Sequence, residues 1–139
     1  MQMLLKRFKK EEKGFTLIEL LAVIVILAVI AVIAVPLIGN MISNSKEKSN
    51  LATARQIYDA ARLHATATAN GELTDVTLST LQTDKYLDAP LYLPSTKEAL
   101  NATETKIDVS EEAGAYLVLA TGTTTLVKIS YTKAQIMSQ

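Results

Sequence analysis

Between Phe15 and Ile38 the chain runs for 24 residues with a single ionisable side chain, Glu19. As a helix rising about 1.5 Å per residue, such a run spans about 36 Å, enough to cross a hydrocarbon core of about 30 Å with some tilt. A carboxylate that faces lipid costs roughly 2.5 to 3.5 kcal/mol on insertion scales. Glu19 therefore needs a partner, and finding it is most of the functional question. The run exceeds the apolar region of about 7 to 15 residues in an ordinary secretory signal. Ala28, Ala31 and Ala34 lack the Ala-x-Ala spacing of a signal-peptidase site. Pro36, late in the run, removes one backbone donor and crowds the preceding turn, which predicts a kink or loosening around Val32 to Val35.

Composition agrees with a membrane segment. Apolar residues make up 49% of the chain, yet there are two Phe and no Trp, so the excess is the aliphatic run and not a rich interior. The absence of cysteine excludes disulfides, thiolate metal sites and thiol nucleophiles. A formal net charge of zero hides an asymmetry. Residues 1–14 hold five basic and two acidic side chains, a net of +3; the remainder holds nine and twelve, a net of −3. A basic head beside the first apolar segment stays in the cytoplasm and sends the rest across the membrane. It has the form of the n-region of a targeting signal.

Beyond Ile38 the rhythm changes. Leu51, Ala54, Tyr58, Ala61 and Ala65 recur at steps of three and four, with Ile57 beside them, forming one apolar stripe bordered by Arg55 and Arg62. Arg55 and Asp59 stand at pairing distance on a helix. Asn70-Gly71 is a terminator. The pattern predicts one helix from about Thr16 to about Ala69, apolar all round in its first half and one-faced in its second, with Ser43-Asn44-Ser45 the weakest point. Residues 71–139 must cover the stripe. Thr74 to Leu87 predicts a short helix capped at Thr77 or Ser79, turning Leu81, Tyr86 and Leu87 inward with Leu78 beside its start. Pro90 and Pro94 frame Leu91-Tyr92-Leu93 as an ordered loop or edge segment. Strands are predicted at Thr105 to Ser110, Ala115 to Thr121 and Thr125 to Tyr131, joined by turns at Glu111 to Gly114 and Gly122 to Thr124; in the first Ile107 and Val109 alternate with Lys106 and Asp108, and in the third Val127, Ile129 and Tyr131 alternate with Lys128 and Ser130, leaving one wet face. The fold class is α+β: a long N-terminal helix, transmembrane then amphipathic, packed against a small C-terminal antiparallel sheet.

Little in the chain suggests catalysis. His64, the single histidine, lies off the stripe with no further ligands at metal spacing, and reads as a surface or half-buried structural residue. Glu111-Glu112 near Gly114 reads as a solvated turn, since a calcium loop needs more alternating oxygen donors. Gly122 lacks the spacing of a phosphate cradle. No Ser-His-Asp set stands out around His64. Asn101-Ala102-Thr103 matches a glycosylation sequon, a pattern too common to carry weight. Neither a cofactor nor a metal is expected, and the chain reads as something other than an enzyme.

Lys13-Gly14-Phe15-Thr16-Leu17-Ile18-Glu19, followed by the unbroken apolar run, resembles the class III signal of type IV pilins and pseudopilins. The resemblance covers about residues 6–40; beyond it only the architecture is similar. It implies a leader of residues 1–14 removed by a prepilin peptidase between Gly14 and Phe15, with N-methylation of the new terminus at Phe15. The remaining segments are then a transmembrane and assembly helix at 15–38, its amphipathic continuation at 39–70 and a small C-terminal pilin-like domain at 71–139. Glu19 matches the family's glutamate, and Pro36 the proline at which family helices often bend or melt in filaments. In a shared apolar core Glu19 could meet the charged amine of Phe15, its own or a neighbour's. A misregistered subunit would leave that charge unpaired.

The resemblance implies a structural subunit held in the cytoplasmic membrane with its C-terminus outside, then polymerised into a surface filament. Its partners would be further copies of itself, minor pilins, prepilin peptidase, a membrane platform protein, an assembly ATPase and, before assembly, lipid. The family serves DNA uptake, adhesion, motility and secretion. The cysteine-free domain and the start Thr16 to Val23 are most similar to pilins of Gram-positive bacteria, including the major competence pseudopilin. The −3 charge beyond the leader gives DNA binding no electrostatic support. The alternative is a monomeric, membrane-anchored extracytoplasmic binding module.

Overall fold

The computed structural model describes residues 16–110 and 116–138. The chain divides into two units, on either side of the Met41–Ile42 bond. The first helix, α1, is Leu17–Thr68. It starts where it does because Thr16 and Glu19 form a capping box. The Glu19 amide donates to Thr16 Oγ1 at 3.3 Å, and the Thr16 amide donates to Glu19 Oε2 at 2.8 Å. It ends where Asn70 and Gly71, with φ of 53° and 88°, reverse the chain and the Gly71 amide donates to the Ala65 carbonyl at 3.0 Å.

The interruption expected at Ser43-Asn44-Ser45 is corrected, and at Pro36 the loosening is absent. The helix is unbroken through Pro36, with no loosening at Val32 to Val35, and unbroken through Ser43-Asn44-Ser45. One lost donor removes one bond from a ladder whose neighbouring turns remain complete. Ser and Asn each weaken a helix by only a few tenths of a kcal/mol relative to good formers, and packing begins six residues further on, at buried Asn50.

Within the unit that starts at Ile42, the anticipated stripe is the covered face. Ala54, Ile57, Tyr58, Ala61 and Ala65 are buried and Leu51 half-buried; Asn50, Thr53 and Ala60 join them. The short helix α2, Leu78–Thr83, is capped by Thr77, whose hydroxyl accepts from the Thr80 amide, and it turns Leu78 and Leu81 into the core. The sheet runs β1 (Val76–Thr77), β2 (Lys106–Ile107), β3 (Leu117–Thr121) and β4 (Val127–Tyr131), antiparallel throughout in that spatial order. Ile107, Leu117 and Leu119 close the core from the sheet side, and Leu93 and Leu100 from the intervening loop. Leu91-Tyr92-Leu93 is an ordered loop, as expected, with a bridge from Tyr92 to Ala99.

The expected second and third strands stand near their expected bounds, but the inward set of the third holds only in part: Tyr131 is buried and Ile129 half-buried, while Val127 is 53% exposed. The first is two residues long, not six, and β1 pairs with it unannounced. The turn expected at Glu111 to Gly114 lies outside the described residues. At the other hairpin Gly122 is required: φ is 86°, and a Cβ there would lie 2.4 Å from the Thr125 carbonyl oxygen. A further helix, α3 (Lys133–Met137), follows β4. A Thr132–Gln135 capping box starts it, and Ile136 anchors it in the core.

Candidate assembly site

Gly14 and Phe15 lie outside the described residues, so the geometry begins at Thr16. Glu19 does have a partner in its own chain. Its Oε2 accepts from the Thr16 amide at 2.8 Å and from the Thr16 hydroxyl at 2.9 Å. Sequence reasoning looked past this pairing, although Thr-Leu-Ile-Glu is itself a capping-box pattern. All the described bonds fall on one carboxylate oxygen; Oε1 has none.

From Leu17 to Ile42 the apolar side chains are exposed on every face of α1; Ile18 is 73% exposed, Val32 76% and Leu37 59%. Burying one such side chain yields about 1.5 to 3 kcal/mol, so the uncovered run represents on the order of tens of kcal/mol, more than the net stability of most domains. The segment is long and apolar enough to cross a membrane. Pro36 is one of its exposed residues.

Elsewhere the polar groups do structural work. His64 is half-buried, as its position off the stripe suggested. Its Nε2 lies 3.0 Å from Asp84 Oδ2, and its ring meets Tyr86 edge-on at 5.4 Å. Thr68 Oγ1 lies 3.4 Å from His64 Nδ1, which completes a Thr-His-Asp line that no sequence pattern announced. The Thr68 hydroxyl, however, donates to the His64 carbonyl at 2.8 Å. The set ties the end of α1 to the loop after α2. Arg55 does not pair with Asp59. Its guanidinium reaches across to α3, Nε donating to the Ile136 carbonyl at 2.9 Å and an Nη to the Ser138 carbonyl. The expected i,i+4 pair was in its weaker orientation, and the unsatisfied carbonyls at the end of α3 are better acceptors. Asn101, the sequon residue, has its amide engaged at both ends: Nδ2 donates to the Gly122 carbonyl, and Oδ1 accepts from the amides of Thr103 and Glu104. Lys128 sits 2.8 Å from Glu104, and its hydrogen bond and charge hold that carboxyl below the usual range. Among the described residues no three His, Asp or Glu side chains gather as metal ligands.

Residues 9–35 match the family model of the prokaryotic N-terminal methylation motif. Neither the comparison with curated proteins nor that with solved structures gives a match. The matched motif indicates a prepilin of the type IV pilin or pseudopilin type and implies a structural protein. Together with the exposed apolar helix near the N-terminus it supports anchoring in a membrane.

Proposed function

We propose that the chain is a filament subunit, a pilin or pseudopilin, cut between Gly14 and Phe15 by a prepilin peptidase, N-methylated at Phe15, held in the cytoplasmic membrane with its C-terminus outside and then polymerised. The observation that carries this reading is the methylation motif on a helix whose apolar surface is uncovered all round. One subunit cannot cover that surface. Lipid does so before assembly and neighbouring helices do so after it.

In this reading Glu19 has two tasks. Through Oε2 it caps the helix with Thr16, which lowers the penalty of an intramembrane carboxylate. Through Oε1 it is open to the charged amine that cleavage would create at Phe15, in its own subunit or the next. The local cap also favours the alternative, a monomeric anchored module, because a capped Glu19 tolerates solitude. The two readings part at the Gly14–Phe15 bond. Mass spectrometry of the protein taken from membranes should find a chain starting at Phe15 and heavier by one methyl group. An intact leader would favour the module, and a chain starting after Ala34 would contradict both. The subunit's role in DNA uptake, adhesion, motility or secretion follows from which assembly ATPase and platform protein it meets.

A further inference from the structure

The sheet ends on an open edge. β4 pairs with β3 on one side, and among the described residues no strand pairs with it on the other. Which of its backbone groups face outward follows from Ala120, which stands opposite Lys128 in the register. The Ala120 amide donates to Thr105 Oγ1 at 3.0 Å, and the Ala120 carbonyl accepts from the Asn101 amide at 2.7 Å, both on the side away from β4. Ala120 and Lys128 are therefore a non-hydrogen-bonded pair, and by alternation so are Val118 and Ser130. The backbone N–H and C=O groups of Lys128 and Ser130 point outward from the free edge, with no partner among the described residues.

Sheet edges are ordinarily blunted by shortness, a proline, a bulge or an unpaired charge. The opposite edge, β1, is two residues long. β4 has five residues, holds no proline and pairs with β3 without a bulge. Its one charge, Lys128, is drawn to Glu104 at 2.8 Å. Nothing among the described residues closes this edge.

We propose that it takes the β4 of a second copy, antiparallel about a two-fold axis, so that the two sheets join into one. The register argues for that occupant. Hydrogen bonds across the seam need an outward-facing residue on each side, and only an axis at Ile129 keeps the partners of both Lys128 and Ser130 inside β4. An axis at Lys128 would set lysine against lysine. One at Ser130 would place Lys128 opposite Thr132, whose amide is already held by Gln135 Oε1 at 2.9 Å. With the axis at Ile129, Lys128 meets Ser130 in both directions and no like charges are opposed. Each Val127, 53% exposed in one copy, then lies opposite Tyr131 of the other. The order Val-Lys-Ile-Ser-Tyr alternates apolar and polar identically from either end, so the strand is complementary to itself. Such a pair closes on itself. The inference therefore stands on the sheet edge and depends neither on cleavage at Gly14–Phe15 nor on filament assembly.

The chain has no cysteine, so introduced cysteines report contacts between copies. The test oxidises the detergent-solubilised full chain with copper phenanthroline and reads dimers on a non-reducing gel. Cα atoms of a non-hydrogen-bonded pair stand about 4.5 Å apart, within the roughly 4.4 to 6.8 Å that a disulfide spans, so Ile129→Cys should crosslink. Val127→Cys is more exposed but would lie about 14 Å from its counterpart, and should crosslink at least ~10-fold more slowly. Ile129 packs against the core, so a second pair avoids it. Lys128→Cys mixed with Ser130→Cys should give the mixed dimer in preference to either homodimer. Lys128→Pro removes an outward N–H and no bond of the β3–β4 ladder. Added to Ile129→Cys, it should abolish the dimer and leave the thermal midpoint nearly unchanged. Equal rates at Val127 and Ile129, an excess of homodimers in the mixture, a dimer that survives Lys128→Pro, or no dimer in any variant would overturn the proposal.

Discussion

The two stretches of α1, either side of Met41, obey the same backbone geometry and opposite packing rules. Before Met41 the helix carries Leu, Ile and Val on every face, all of them exposed, with Ala22, Ala28, Ala31 and Ala34 between them. Beyond it the buried face has four Ala with Ile57, Tyr58, Asn50 and Thr53, and the other faces are largely polar, with Leu63 exposed among them. Small residues let α2, the sheet and the loop around Leu93 and Leu100 close over the second stretch within a single chain. Bulky residues all round leave the first stretch with nothing among the described residues to bury against. One stretch is finished by folding; the other is finished by a membrane or by other subunits.

The sharpest way to break that contrast is to make the same change in both. Ile57 is 1% exposed and Ile30 is 56% exposed. Ile57→Ala should cost about 2 to 5 kcal/mol and lower the thermal midpoint of the detergent-solubilised protein, whereas Ile30→Ala should leave it unmoved. Equal effects would mean that the first stretch is covered within the subunit. A smaller effect is expected at the clasp between α1 and α3. Arg55→Ala removes two bonds to carbonyls at the end of α3 and should cost about 1 to 3 kcal/mol. Hydrogen exchange should show it as earlier opening of residues 133–138, with α2 still protected.

The smallest effect is a pH dependence. Lys128 holds Glu104 below its ordinary value, so the folded chain binds that proton less readily than the unfolded chain. The resulting stability is present above the ordinary carboxylate pKa and fades as pH falls through it toward the lowered one. Both side chains are more than a third exposed, so solvent screening keeps the contribution slight. Glu104→Gln should flatten that part of the pH profile measured by thermal unfolding, and an unchanged profile would remove Glu104 from the account.

What could be read from the residues follows the length over which a pattern repeats. The long helix and its buried stripe were legible because a period of 3.6 had room to recur, and β4 because Ile129 and Tyr131 alternate with Lys128 and Ser130; β3 was legible as a short apolar run, covered on both faces, and the Thr77 cap by its residue type. β1 and β2, at two residues each, are too short to show a period and are fixed by pairing Val76 with Ile107 and Thr77 with Lys106. α3 buries only Ile136, so its apolar signal is one residue; the Thr-x-x-Gln of Thr132 to Gln135 was the sign available. At the candidate site Glu19 stood out as a lone charge, and its likeness to a known signal suggested an amine across a subunit boundary. The nearer partner, Thr16, carries no charge to mark it, and the Thr-x-x-Glu spacing of Thr16 to Glu19 was the sign available.

Those two partners can be separated in one measurement. If Glu19 is an assembly contact and more than a cap, then Glu19→Ala, expressed as the sole copy, should yield a subunit that is inserted in the membrane and cut at Gly14–Phe15 but absent from sheared filament fractions. Glu19→Ala filaments at the yield of the unaltered chain would contradict the account and leave Glu19 as the cap of α1 alone.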